Sequence, residues 1–154
     1  MAKKKGRSGS VADNRKARFE YHLEEPLECG IALQGSEVKS LRASQVAFRD
    51  SFCRIDNGEL WLYNLHISPY MFASHFNHNA DRKRKLLASK KQIAGLGRKV
   101  REKGFSIIPT KIYFKGSLVK VEVALAKGKK LYDKRNTIRA RDLDREEGRK
   151  MRDK

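Results

Sequence analysis

The chain has 154 residues, enough for one domain with its own core plus tails and too few for two domains of ordinary size. Thirty-six Lys and Arg stand against 18 Asp and Glu, a net charge of +18 that gathers polyanions and makes nucleic acid the leading partner class. No apolar run approaches the roughly 18 residues of a membrane span, which leaves a bilayer surface as a minor alternative.

The charge is unevenly placed. Residues 1–18 carry +6, 19–81 carry −5, 82–103 carry +9, 104–126 carry +2 and 127–154 carry +6, so a mildly acidic half sits beside three basic blocks. The opening MAKKKGRSGS has the charge of a signal peptide without the apolar stretch that would follow it, which predicts a cytoplasmic protein. Only Cys29 and Cys53 are present, and both sit in strand-like alternation, where cysteines of a basic cytosolic chain read as free, buried thiols.

From Phe19 the residues Phe19, Tyr21 and Leu23, then Leu27, Cys29, Ile31 and Leu33, alternate with polar or small ones, predicting two strands broken at Pro26. Over Gln34 to Ala43 the period changes, with Val38 and Leu41 three apart, and a short helix is expected. Val46 to Ile55 and Glu59 to His66 flank Asp56-Asn57-Gly58, a hairpin turn because Asn-Gly favours positive φ. Phe48, Phe52, Trp61 and Tyr63 read as core residues, with a stacking platform as the other possibility.

Ser89 and Gln92 have capping-box spacing, Ile93, Leu96 and Val100 share a helical face, and Gly104 is a stop; Gly95 and Gly97 weigh against a regular helix. Phe105 to Lys115 and Leu118 to Ala126 form a second hairpin across Gly116-Ser117, with Val119, Val121, Val123 and Leu125 pointing one way. The expected fold is mainly β: a six-stranded antiparallel barrel of the oligonucleotide-binding type with two or three short helices and disordered basic termini. An open α+β sheet is the competing architecture. The expected divisions are a basic arm at 1–12, an RNA-binding domain at 13–126 and a tail at 127–154.

In the tail, twelve Lys or Arg face six Asp or Glu, and after Tyr132 only Ile138, Ala140, Leu143 and Met151 are apolar. Burial cannot offset its ordering entropy, so folding is expected only against an anionic partner. Glu146 precedes Lys150 by four residues, a pairing worth only ~0.2–0.5 kcal/mol, too little to hold a free helix. Gly128, Lys129 and Lys130, then Tyr132, Asp133, Lys134 and Arg135, combine a hinge, cations and one ring, and a base stacked on such a ring is worth ~1–3 kcal/mol. Arg82, Lys83, Arg84 and Lys85 form a cationic run suited to phosphates, or else a solvated loop. His66, His75 and His78 invite a metal or acid–base reading, yet neither cysteine has ligand spacing and loop histidines of this kind are expected at the surface.

The motifs NRKARFEY (Asn14 to Tyr21), ECGIALQGSEVKSLR (Glu28 to Arg42), HISPY (His66 to Tyr70), RKRKLL (Arg82 to Leu87) and AKGKKLYDKR (Ala126 to Arg135) closely resemble the small protein B family. These SsrA-binding proteins partner transfer-messenger RNA (tmRNA, SsrA RNA) in bacteria, and the likeness runs from about Asn14 to Asp142. It implies a barrel gripping the tRNA-like domain of tmRNA, with a tail that enters the vacant message channel of ribosomes stalled on truncated messages and folds into a helix there. It implies no enzymatic activity, cofactor or metal, and a monomer partnered by tmRNA and by small-subunit rRNA. Glu28, Tyr21, Lys39 and Arg42 become RNA contacts by resemblance, and Asn14, Arg15, Lys16, Arg82, Arg84, Lys85 and Lys120 complete that set. Gly128, Lys129, Lys130, Tyr132, Asp133, Lys134, Arg135, Arg139 and Arg141 become the ribosome-binding tail. Ser89 departs from the family, where His or Asn is common. A ribosomal or ribosome-assembly protein, and a small ribonuclease using the histidines, are the alternatives.

Overall fold

The computed structural model describes residues 10–72 and 77–129, together with Arg135 and Arg139. Among the described residues the order is β1 (Ser10–Asp13), α1 (Arg15–Glu20), β2 (Tyr21–Ile31), α2 (Gly35–Arg42), β3 (Val46–Ala47), β4 (Phe52–Asp56), β5 (Glu59–Tyr63), β6 (His66–Ile67), β7 (Arg84–Leu87), α3 (Lys90–Lys103), β8 (Ser106–Lys115) and β9 (Leu118–Gly128). Seven strands form one sheet in the order β1-β8-β4-β5-β7-β2-β9, and β9 pairs back onto β8. Six strands therefore close into a ring, with β1 added outside on β8, and every pairing is antiparallel. Closure removes the free edges of an open sheet, the competing architecture. The narrowest seam joins β4 to β8 through the single pair Cys53 and Ile107.

Alternation dictates which side chains turn inward, because fully burying a Val or Leu is worth ~1.5–3 kcal/mol. Val119, Val121, Val123 and Leu125 of β9 are buried, as are Cys53, Leu60, Leu62 and Leu86 of β4, β5 and β7. Leu41 of α2 and Ile93 and Leu96 of α3 join this core. A second, small cluster lies outside the ring, where α1 lays Ala17 on Ile108 and Ala126. Both cysteines are free and buried, and burial pushes the Cys29 thiol up to about 11.

Locally encoded features match the sequence reading. Ser89 Oγ accepts from Gln92 N at 3.2 Å while Gln92 Oε1 accepts from Ser89 N at 3.1 Å, which caps α3. Gly104 ends that helix at φ 67°, in the left-handed region. Asn57 (φ 51°) and Gly58 (φ 74°) turn β4 into β5.

Five readings need correction. Phe19 belongs to α1, not to a strand, because Asn14 caps a helix there: its Oδ1 accepts from Ala17 N at 3.1 Å and its Nδ2 donates to Pro109 O at 2.8 Å. Pro26 does not divide β2; the strand bulges between Glu24 and Leu27 and runs on. Val46 to Ile55 and Glu59 to His66 are each split, because β3 and β6 leave the ring to pair with one another. Phe48 is buried as expected, but Phe52, Trp61 and Tyr63 lie on the outer face, since Cys53, Leu60 and Leu62 take the inner phase. The sheet itself continues past Ala126, with Lys127 opposite His22 and Gly128 opposite Tyr21.

Candidate nucleic-acid interface

The outer faces of β2, β9 and β8 bring several expected residues together. Register places Glu28 opposite Glu122, Gly30 opposite both Lys120 and Leu87, and Lys120 opposite Tyr113. The Glu28 carboxylate accepts from the Tyr113 hydroxyl and from Lys115 Nζ at 3.3 Å. The Tyr113 hydrogen bond, aided by Lys115 and Lys120 against some desolvation, holds the Glu28 carboxyl below its ordinary pKa. An acid on this basic surface is thus an orienting group, fixing Tyr113 and Lys115 beside Lys120. Tyr113, Lys115 and Leu87 were not singled out from the sequence. Leu87 is 52% exposed, an apolar side chain in the middle of a polar face. A Cβ at Gly30 would stand 3.2 Å from Leu87 Cβ, so the glycine gives Leu87 its room.

The cationic run divides into inner and outer halves. Arg84 is fully buried, against expectation for an RNA contact. It donates to Glu37 of α2 and, through Nη1, to Leu65 O at 2.6 Å. Arg82, with a side chain 28% exposed, donates to the same carboxylate. Glu37 also accepts from Gln34 N at 2.8 Å, so one buried acid caps α2 and ties it to β7. The reason is phase: Arg84 and Leu86 point inward, whereas Lys83 and Lys85 point outward. Lys85 Nζ lies 3.2 Å from Glu59. On α2, Lys39 and Arg42 are exposed, with Lys39 Nζ 5.4 Å from the Tyr70 ring centroid.

Asn14, like Arg84, is buried. It is 5% exposed and spent on the α1 cap. Arg15 and Lys16 are exposed, and Lys16 Nζ meets Asp50 at 2.9 Å. Tyr21 is half-buried against the cluster under α1. It also lines a groove of about 650 Å³ between α1, β4, α3 and β8, with Phe52 in its wall and Lys16, Arg49, Arg54 and Arg101 along it. Gly128 leaves the sheet at Tyr21, and Lys129 N donates to Glu20 O at 2.8 Å. Arg135 and Arg139 are helical and exposed, while Lys130, Tyr132, Asp133, Lys134 and Arg141 lie outside the described residues.

Among the described residues, His66 and His78 are engaged by groups other than each other. His66 Nδ1 lies 2.8 Å from Asp81 Oδ1. His78, expected at the surface, is 5% exposed, with Nδ1 2.8 Å from Ser36 Oγ and Nε2 donating to Ile67 O at 2.8 Å. His75 lies outside the described residues. No cluster of metal-ligating side chains occurs among the described residues. No helix among them is long and apolar enough to cross a membrane.

A family model described as SmpB protein matches residues 11–153. The chain belongs to the SmpB family. It is similar to the SsrA-binding protein of Carboxydothermus hydrogenoformans, 57% identical over 136 residues that cover 88% of this chain and 91% of that one. The SsrA-binding protein of Desulforudis audaxviator is 54% identical over 145 residues, covering 94% of this chain and 95% of that one. The SmpB fold is shared as well: a chain in a solved structure described as tmRNA-SmpB on a journey to the centre of the bacterial ribosome has a TM-score of 0.66 and 49% identity, covering 78% of this chain and 85% of that one. The resemblance read from five motifs therefore holds at the level of the SmpB family.

Proposed function

We propose that this chain is an RNA-binding adaptor of trans-translation. It binds the tRNA-like domain of tmRNA and delivers that RNA to ribosomes stalled on truncated messages, in the cytoplasm where ribosomes work. Its partners are tmRNA and the ribosome, chiefly small-subunit rRNA. The observation that carries this reading is identity above one half to SsrA-binding proteins across nearly the whole of both chains.

Within the folded part, the face around Glu28, Tyr113, Lys115 and Lys120, together with Lys39 and Arg42, holds the folded RNA. Phosphate contacts from the lysines and Arg42 supply affinity, and the fixed Glu28 accepts from a base amine or holds its neighbours in place. The segment after Lys129, with Arg135 and Arg139, enters the empty message channel and pairs with rRNA phosphates. The protein acts by binding and delivery and carries out no chemical step of its own.

The test is a chemical footprint of tmRNA with and without the protein, paired with quantitation of the protein on salt-washed ribosomes. Protection confined to the tRNA-like domain, and occupancy of a small stalled fraction, is the expected result. Absence of protection with one copy on every washed ribosome would instead make the chain a ribosomal constituent.

A further inference from the structure

We propose that the outer face of β4, β5 and β7 is a second RNA surface, which takes unpaired nucleotides by stacking their bases on Trp61 and Tyr63. The proposal rests on the RNA-binding reading above and extends it from folded RNA to single strands. Leu60, Leu62, Arg84 and Leu86 are buried, so alternation turns Trp61, Tyr63, Lys83 and Lys85 outward together. Register sets Arg54 and Lys85 on either side of Trp61, and Phe52 beside Tyr63. The Phe52 and Tyr63 rings stack at 5.2 Å with 9° between their planes, which props Tyr63 as a rigid element.

The decisive contact is Lys83 Nζ, 4.7 Å from the centre of the Trp61 ring. Trp61 is partly exposed, and the group over its ring is the ammonium of the exposed Lys83. A base can take that place while the ammonium, on a flexible stem, moves to the adjoining phosphate. Glu59 is engaged by Lys85 at 3.2 Å, so Lys83 and Arg54 supply the positive charge. Rings interleaved with cations on the outside of a closed β ring suit single-stranded nucleic acid, since every base offers a π-face and every linkage a phosphate. An apolar protein partner would gain little from such a face. The surface also adjoins the first one, because Leu87 lies two residues beyond Lys85 and opposite Gly30. A strand leaving a folded RNA held at Glu28 and Lys120 can continue onto Trp61.

Trp61 is the chain's single tryptophan, so its emission reports on this face alone. The full chain is titrated with a short oligouridylate and, separately, with inorganic polyphosphate, with binding followed independently by anisotropy. The expected result is saturable quenching by oligouridylate and none by polyphosphate, with Trp61→Leu weakening oligouridylate binding roughly 5- to 150-fold, the equivalent of ~1–3 kcal/mol per stacked base. The same variant keeps its affinity for the tRNA-like domain. Oligouridylate that binds without quenching, or equal quenching by polyphosphate, would overturn the proposal, and neither result depends on a variant that folds. Failure of the unaltered chain to bind the tRNA-like domain contradicts the adaptor reading instead.

Discussion

Glu37 on α2 and Arg84 on β7, 47 residues apart in the chain, form an ion pair in which neither side chain reaches solvent. Removing one partner of such a pair strands the other in a low dielectric, at a cost of ~3–5 kcal/mol. Glu37→Gln is expected to lower the unfolding free energy extrapolated from urea titrations by that amount. Arg82→Ala should cost clearly less, because its guanidinium retains access to water.

The same carboxylate sets a pH dependence. Burial works to raise the Glu37 pKa, but hydrogen bonds from Arg82, the Gln34 amide and Arg84 outweigh it and hold the group below its ordinary value. A carboxyl depressed in the folded state contributes stability that is present above its unfolded pKa and lost as pH falls through its folded one. Asp81, held down chiefly by His66, and Asp50, held down by Lys16, act in the same direction from the surface. Urea midpoints should therefore be level above about pH 5 and fall below it. Glu37→Gln, already weakened at neutral pH, should show a shallower acid limb.

Asn14 and Lys120 separate folding from binding. Asn14→Ala removes a buried helix cap and should cost ~0.5–2 kcal/mol of stability while leaving the salt dependence of RNA binding unchanged. Lys120→Ala should leave the melting temperature in place and reduce the slope of log affinity against log salt by about one. Thermal melts and salt titrations on both variants check this division.

Tyr113→Phe tests whether Glu28 is an orienting group. Without the hydroxyl the Glu28 carboxyl loses the largest influence holding it down, and its pKa should rise toward the ordinary glutamate value, read by carboxyl carbon NMR. Affinity for the tRNA-like domain should fall with it. An unchanged Glu28 titration in Tyr113→Phe would contradict the assigned hydrogen bond.

Helix α3, both hairpin turns and the β9 core stripe were legible because their determinants lie within a few residues of one another. The failures share a different physics. ELWLY carries ring or aliphatic side chains at four successive positions, so its phase cannot be read locally; Leu60 and Leu62 win the inside. RKRKLL looks like a solvated run until Glu37 is known to lie beneath it. Phe19, Tyr21 and Leu23 alternate across the join between α1 and β2, where the Asn14 cap, completed by Pro109 O far along the chain, overrides the period-two pattern. Glu28 was found by family likeness, whereas its partner Tyr113, 85 residues away, follows only from the β2, β9 and β8 register.

One truncation bears most directly on the division into an RNA-holding ring and a ribosome-sensing tail. β9 runs through Gly128, and Lys129 N still bonds Glu20 O at 2.8 Å, so a chain cut after Lys129 keeps every strand of the ring. That chain is expected to bind the tRNA-like domain as tightly as the full chain while adding no tag to peptides on ribosomes stalled at the end of a truncated message. Tagging at the full rate, or loss of RNA binding in step with tagging, would show that the two parts do not divide the work in this way.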